Sequence, residues 1–522
     1  MKVFLLGIDG LTFKILEPLI AKGHLPGFSR LMQEGAWGIL RSTVPPITPA
    51  AWMSIATGLK PAKHGVLDFL EVHWQDNQIR LSPVTRRKSG AAVWDILSGY
   101  GRRVAVANVP CTYPPDPVNG IMVSGFSTPS EASPFTYPVD FQQELFSLVP
   151  DYRIDITKAE QYAEYGDAEL LSLVHRMTDT RIRLLHLILA RNNWDFVFFT
   201  MVGSDRLQHP LWRDLTSSTP STQLVDYYRR LDEVVLQAMD WLGDDGLLLV
   251  LSDHGFRGAD RLYNINQLQA NYGWTRVKPA IRFKNSLISL LGKLRLGNIA
   301  ETVYSRVIPR SKKARLASER LFASIAVSDS KMWALTYAGS AFASLFFSPS
   351  IPAAEQEKIL ATITAELLAM DVVNPEGVFT GNTLHSALGL EKPGVDWEGP
   401  QALMLASPPW AFQGRPRSDR LVQTIETVGT HDMEGCLLVW GKGVKAGPFE
   451  NPASVYDITP TVLYAFDLPQ ESDFDGRPLT GLFTFQHQIR IHDRATGAIW
   501  EQEAQVSDSV RRKINHLLRE AQ

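Results

Sequence analysis

The run Met1-Lys2-Val3-Phe4-Leu5-Leu6-Gly7-Ile8-Asp9-Gly10 is apolar without alternation and then stops at a carboxylate followed by glycine. A short continuous apolar run reads as a strand covered on both faces, the habit of parallel sheets, and Gly10 lets the chain turn sharply at its end. The same grammar returns in Leu247-Leu248-Leu249-Val250-Leu251-Ser252-Asp253-His254-Gly255, where a buried strand ends on two polar side chains that need a physical reason to be there. Further strands are expected at Val104 to Asn108, Ile121 to Val123, Phe196 to Met201 and Cys436 to Trp440, with helices at Pro49 to Thr57, Ala168 to Asn192 and Ser221 to Trp241. Long strand-to-strand spacings filled by helices favour parallel pairing. The chain is therefore expected to be an α/β protein with a mostly parallel central sheet covered by helices on both faces. No repeat of fixed period interrupts this pattern.

With 522 residues, 45% of them apolar and 20% charged, the chain can bury a large core as one elaborated domain or two. A net charge of −3 does not point to nucleic acid, and none is expected as a partner. Cys111 and Cys436 are its only cysteines, so no disulfide framework holds the fold and a reducing compartment is compatible. Both thiols read as buried filler. The opening apolar run is too short for a membrane span and lacks a small-residue cleavage site, so it reads as a strand and the expected location is cytoplasmic.

The candidate chemistry is carried by scattered Asp, His and Thr residues. Asp9 closes the first strand, at the edge where ligands bind in open α/β sheets, although a lone strand-end Asp could simply cap a helix. Thr48 precedes Pro49 at a helix start. Its hydroxyl could cap that helix or, at the helix's positive end, serve as a nucleophile beside a phosphate oxygen; both roles stay open. Asp205 and His209 stand four apart, which on a helix puts a carboxylate and an imidazole on one face. Asp253 and His254 end the Leu247 to Leu251 strand, and His431 lies in Gly429-Thr430-His431-Asp432, read as a loop before the Cys436 strand. Together these residues offer oxygen and nitrogen ligands for two divalent ions, Zn²⁺ first and Mn²⁺ second.

One segment departs in composition. Between Arg276 and Arg320 there are twelve Lys or Arg against Glu301 and Glu319, with Leu287, Leu290, Leu291, Leu294 and Leu296 at roughly helical spacing. Such a segment could be a solvated helical excursion, a lid, a collar for an anionic substrate or a peripheral membrane contact. The expected organisation is a core of residues 1–275 and 330–485, a basic helical insertion or lid at 276–329, and a C-terminal extension at 486–522 read as a strand pair and a helix. Gly381 to Arg415, with Trp397 and Trp410, is expected to help shape the pocket.

In order and spacing, Gly7-Ile8-Asp9-Gly10, Leu25-Pro26-Gly27-Phe28, Thr48-Pro49-Ala50-Ala51-Trp52, His64-Gly65-Val66, Gly203-Ser204-Asp205 with His209, Ser252-Asp253-His254-Gly255, Gly429-Thr430-His431 and Tyr456-Asp457-Ile458-Thr459-Pro460 followed by Asp475-Gly476-Arg477 form one series. The series resembles the alkaline phosphatase superfamily, in its type I phosphodiesterase/nucleotide pyrophosphatase branch and the neighbouring predicted phosphohydrolase/phosphomutase group. The resemblance implies an alkaline phosphatase-like sandwich and a small-molecule phosphate ester substrate. It further implies one metal held by Asp205, His209 and His431, a second held by Asp9, Thr48, Asp253 and His254, and Thr48 as the nucleophile of a phosphothreonine intermediate. The chain departs from that branch at His64-Gly65-Val66-Leu67-Asp68-Phe69, where the branch carries an Asn for a phosphate oxygen. Sulfatase chemistry is disfavoured, because Thr48-Pro49-Ala50-Ala51-Trp52 lacks the Cys or Ser followed by x-Pro-x-Arg. Three readings follow: a two-metal hydrolase of phosphomonoesters or phosphodiesters, a phosphomutase that returns phosphoryl to its substrate, and a catalytically silent module braced by metal.

Overall fold

The computed structural model describes the chain except for residues 76–77, 157–165, 279–323, 338, 391–398, 415–419, 494–497 and 502–522. Val3–Ile8 lies inside a 10-stranded sheet. Phe196–Met201 and Leu247–Leu251 flank it, both parallel to it. Val104–Ala107 and Gly120–Val123 extend the sheet in parallel beyond Phe196–Met201. On the other side Glu434–Gly441 is antiparallel both to Leu247–Leu251 and to Ala36–Arg41. The strand expected at Cys436 is thus present but reversed. The chain reaches it from His431, already at the carboxyl edge of the parallel strands, and can only run back.

The unbroken apolar runs are explained by two cores. Phe4, Leu6 and Ile8 enter the core on one face together with Val197, Phe199, Leu248 and Val250. Val3 and Leu5 enter the other with Phe196, Phe198, Leu247 and Leu249. Successive side chains of a strand point to opposite faces, so each strand feeds both cores. The helices Asp167–Ala190 and Thr222–Leu242 cover the first face through Leu184, Leu185, Ile188, Leu231 and Val235. On the second face lies Thr48–Thr57, a helix in which all ten residues are buried and which ends on Gly58 at φ 69°. Its Trp52 packs on Gly7 so closely that a Cβ there would meet the indole at 2.3 Å.

Two further layers sit beyond the main sheet. Gly255–Asn264 pairs antiparallel with Val422–Asp432 and parallel with Trp410–Gln413. Met332–Leu335, Phe342–Phe347, Ala402–Leu405 and Val378–Thr380 form a separate four-stranded sheet, packed on Ile359, Ile363 and Leu367 of the helix Ala353–Ala369. Most of the basic insertion, including its leucines, lies outside the described residues, as does Trp397; Trp410 is buried under this sheet. In the C-terminal extension Arg490–Asp493 pairs antiparallel with Ala498–Glu501, and the expected terminal helix lies outside the described residues. Cys111 and Cys436 are buried and unbridged, and burial pushes the Cys111 thiol up to about 12. Among the described residues no helix is long and apolar enough to cross a membrane.

His64 serves this packing. The Val66 amide donates to its Nδ1 at 3.2 Å, so the ring proton sits on Nε2 and is donated to Ser54 Oγ at 3.0 Å, inside the Thr48–Thr57 helix. Burial, with the Arg87 charge adding to it, lowers the His64 pKa from 6.5 to about 3. A depressed folded value means that this contribution to stability is intact above about 6.5 and is lost as pH falls towards about 3. Denaturant unfolding at pH 7 and pH 4.5 is expected to show an acid loss of up to about 1.4 kcal/mol per pH unit from this group. That component should be missing in His64→Gln; equal pH dependence in the two proteins would assign the acid sensitivity elsewhere.

Candidate metal centre

Three parallel strands end side by side, and their exits supply the first ligands. Asp9 follows Val3–Ile8, Asp253 and His254 follow Leu247–Leu251, and Phe196–Met201 leads into the helix Gly203–Leu215 that carries Asp205 and His209 one turn apart. Gly10 turns at φ 71° and its amide donates to Asp253 Oδ1 at 3.1 Å, tying two exits together. His431 was expected in a loop. It sits instead in the strand Val422–Asp432, directly opposite Phe256, whose ring lies 5.2 Å away. Thr48 begins the buried helix from the other side.

All seven residues converge. Asp205 Oδ1 lies 3.4 Å from His209 Nε2 and 3.2 Å from His431 Nε2, and the two Nε2 atoms are 3.2 Å apart. His254 Nε2 lies 3.5 Å from Asp9 Oδ1, 3.3 Å from Asp253 Oδ2 and 3.3 Å from Thr48 Oγ1. The rings of His254 and His431 stack at 3.6 Å and join the two groups. Asp205, His209 and His431 could hold one ion, and so could Asp9, Asp205 and His254. Asp205 therefore belongs to both groups, whereas the resemblance gave it to one. The Thr48 hydroxyl caps nothing: Ile47 occupies the cap position without a side-chain hydrogen bond, and Thr48 Oγ1 turns towards His254.

The ring orientations test whether a cation fits. His209 Nδ1 donates to Gly429 O at 3.1 Å, His431 Nδ1 to Pro46 O at 2.8 Å and His254 Nδ1 to Gly255 O at 3.1 Å. A carbonyl oxygen can only accept, so each Nδ1 carries the proton. In the neutral ring that leaves the Nε2 lone pair facing the carboxylates. Asp9 Oδ1, Asp205 Oδ1 and Asp253 Oδ2 are buried without any hydrogen bond. Lone pairs and orphaned carboxylate oxygens aimed at one another repel, and a divalent cation among them removes the repulsion. The residues present fit such an ion.

The electrostatics agree. Burial, then Asp253 and Asp205, push Asp9 well above the usual carboxylate range. Burial raises Asp253 in the same way, with the Gly10 amide opposing it and Asp205 adding to it. Burial alone would raise Asp205 too, but positive charge at His209 and His431 would hold it well below that range. Burial and then His431 push His254 far down. Asp9 and Asp253, which resist ionising, beside His254, which resists protonation, form a set whose charge a bound cation would stabilise.

Sequence reasoning missed the residues that orient these ligands. Trp52 Nε1 donates to Asp9 Oδ2 at 3.3 Å, and Ser204 Oγ to the Asp9 carbonyl at 2.6 Å. Arg206 Nη1 donates to Asp205 Oδ2 at 2.9 Å and Nη2 to Asp155 Oδ2 at 2.9 Å. Ser204 and Arg206 flank a predicted ligand and were within reach of inspection. Asp155 and the carbonyls of Pro46 and Gly429 carry no signal in the sequence.

A family model described as type I phosphodiesterase/nucleotide pyrophosphatase matches residues 3–324. Phosphonoacetate hydrolase from Sinorhizobium meliloti 1021, solved with phosphonoformate, is similar over 88% of this chain and 94% of its own, at 14% identity and a TM-score of 0.55. Human ectonucleotide pyrophosphatase/phosphodiesterase 5 is similar over 93% of this chain and 100% of its own, at 11% identity and a TM-score of 0.54. A mutant of the alkaline phosphatase PafA is similar over 92% and 98%, at 14% identity and a TM-score of 0.51. At these identities the likeness is one of fold, the mostly parallel α/β architecture expected above. No curated protein matches the sequence.

Metal binding should register as stability. Zn²⁺ or Mn²⁺ at 100 times its Kd is expected to stabilise the protein by about 2.7 kcal/mol, read as a rise in Tm over chelator-treated protein. Asp205→Asn, which touches both groups, should lose most of that rise. No rise with either ion would remove the metal reading.

Proposed function

The chain belongs to the type I phosphodiesterase/nucleotide pyrophosphatase family, a family of hydrolytic enzymes, and from that premise we propose that it is a two-metal phosphohydrolase acting on a small phosphomonoester or phosphodiester through Thr48. One observation carries the reading: Thr48 Oγ1, buried at a helix start, lies 3.3 Å from His254 Nε2 at the rim of the carboxylate and imidazole cluster. In this proposal Asp205, His209 and His431 hold one ion, and Asp9, Asp253 and His254 hold the other with Thr48. Two such ions, Zn²⁺ or Mn²⁺, supply charge that stabilises the oxygens entering and leaving phosphorus and favours the Thr48 alkoxide.

The residues themselves do the rest. Trp52 and Ser204 keep Asp9 in place, and the carbonyls of Pro46, Gly429 and Gly255 keep each imidazole turned inwards. The Thr48–Thr57 helix presents its positive end to the phosphoryl group, a fixed dipole where negative charge gathers. Thr48 sheds its hydroxyl proton to water and forms an Oγ–P bond while the bond from phosphorus to the leaving oxygen breaks, and that oxygen takes up a proton. Water then attacks the phosphothreonine and the Oγ–P bond breaks; phosphate leaves from a monoester substrate, or a phosphomonoester from a diester, as Thr48 regains its hydroxyl.

A silent, metal-braced module would have no use for a buried hydroxyl at that position. A phosphomutase needs a closed, dry pocket with the basic insertion as its lid, and most of that segment lies outside the described residues. Peripheral membrane contact would use the same segment. The division into core, insertion and extension at 1–275 with 330–485, 276–329 and 486–522 belongs to this proposal as well.

Matched monoester and diester model substrates, offered to Zn²⁺- or Mn²⁺-loaded enzyme, test the reading. Thr48→Ala is expected to lower turnover at least about 100-fold while sparing most of the bound metal, and Asp253→Asn to lose metal and turnover together. Full turnover in Thr48→Ala would sink the covalent mechanism, whichever ester is preferred.

A further inference from the structure

The two oxygens of Asp205 have different neighbours. Oδ1 faces His209 and His431 and carries no hydrogen bond, while Oδ2 accepts from Arg206 Nη1 at 2.9 Å. Asp205 and Arg206 are adjacent on one helix, where neighbouring side chains point away from each other, so this contact needs a tether. Asp155 supplies it by accepting from Arg206 Nη2 at 2.9 Å and from Nε at 3.4 Å, a two-point grip on the guanidinium. The Phe126 ring lies 5.0 Å from the guanidinium carbon and closes one side. Side-chain exposures of 2% for Asp205, 8% for Arg206 and 10% for Asp155 place the whole chain of contacts out of water.

A guanidinium beside a cation site is a physical oddity. Like charges repel, and more strongly out of water, so an Arg there should oppose metal binding. Asp155 offsets that charge, and what remains of Arg206 is mainly its geometry, a planar donor fixed at one end that pins one oxygen of Asp205. With Oδ2 held, Asp205 cannot rotate to present both oxygens to one ion. Oδ1 is left facing His209 Nε2 and His431 Nε2 at 3.4 and 3.2 Å.

We propose that the buried Asp155–Arg206 pair is a positioning device for the metal centre, fixing Asp205 so that Oδ1 alone is offered to the ion beside His209 and His431. The inference rests on the metal reading above. Neither residue was singled out by the sequence, and neither is placed among the ligands.

Metal affinity of the full-length protein, measured by chelator competition with Zn²⁺ and Mn²⁺, tests it, alongside Tm with and without metal. Arg206→Gln is expected to weaken the tighter ion about 10- to 100-fold, the usual effect of losing a partner that orients a ligand. Asp155→Asn, which leaves every ligand intact, should weaken it in the same direction and shrink the metal-induced rise in Tm. Arg206→Lys, a single-point donor, should not restore wild-type affinity. A purely structural brace would lower the metal-free Tm and leave affinity unchanged, and a merely repelling neighbour would give tighter binding in Arg206→Gln. Either result overturns the proposal. Should Arg206→Gln fail to fold, Asp155→Asn decides by the same criterion, and a wild-type protein that binds neither ion would sink the metal reading first.

Discussion

Three carboxylates, Asp9, Asp205 and Asp253, are buried together at one edge of a sheet, and the rest of the architecture answers to that. Removing a carboxylate from water costs several kcal/mol even after relaxation, and three within one cluster add mutual repulsion. The compensation on hand is Arg206, the Trp52 indole and the amide of Gly10. Each donates to a carboxylate, yet one oxygen of every carboxylate is left without a hydrogen bond. A core of this kind is a poor way to hold a protein together and a good way to hold a cation.

The parallel sheet is what brings the carboxylates together. Its parallel strands all end at the same edge, so residues at their exits meet although some 240 positions separate Asp9 from Asp253. Close approach depends on missing side chains. Gly7 admits the Trp52 ring that holds Asp9, and a Cβ on Gly10 would strike Phe256 at 2.6 Å. The wall of Phe256 in turn backs His209 and His431, with ring centroids at 4.9 and 5.2 Å. Apolar packing and ligand orientation are therefore one problem here, since the side chains that fill the space also fix the imidazole planes.

His431 joins the centre by a different route. It lies beyond residues 3–324, which the family model covers, on a strand that belongs to a second sheet. Only the pairing of that strand with Gly255–Asn264 sets it beside His254 and His209. The carbonyl of Pro46, two residues before Thr48, then fixes its ring. One small loop thus orients a histidine and launches the helix that carries the hydroxyl.

Much of this was legible in the sequence. The unbroken apolar runs of Val3–Ile8, Phe196–Met201 and Leu247–Leu251 announced buried parallel strands because covering both faces of a strand removes its alternation. Polar residues at their ends stood out because charge in such a place needs a use. What the sequence left open was decided by tertiary contacts. The hydroxyl of Thr48 could cap or face the cluster, and only the placement of His254 shows that it faces the cluster. The reversal of Glu434–Gly441, the strand setting of His431, the sharing of Asp205 between two groups and the tether from Asp155 all depend on which distant segments meet. Local sequence determines periodicity, turns and helix starts, because these arise from neighbouring residues. Ligand geometry and ring orientation arise from contacts across the chain, and only the folded structure contains them.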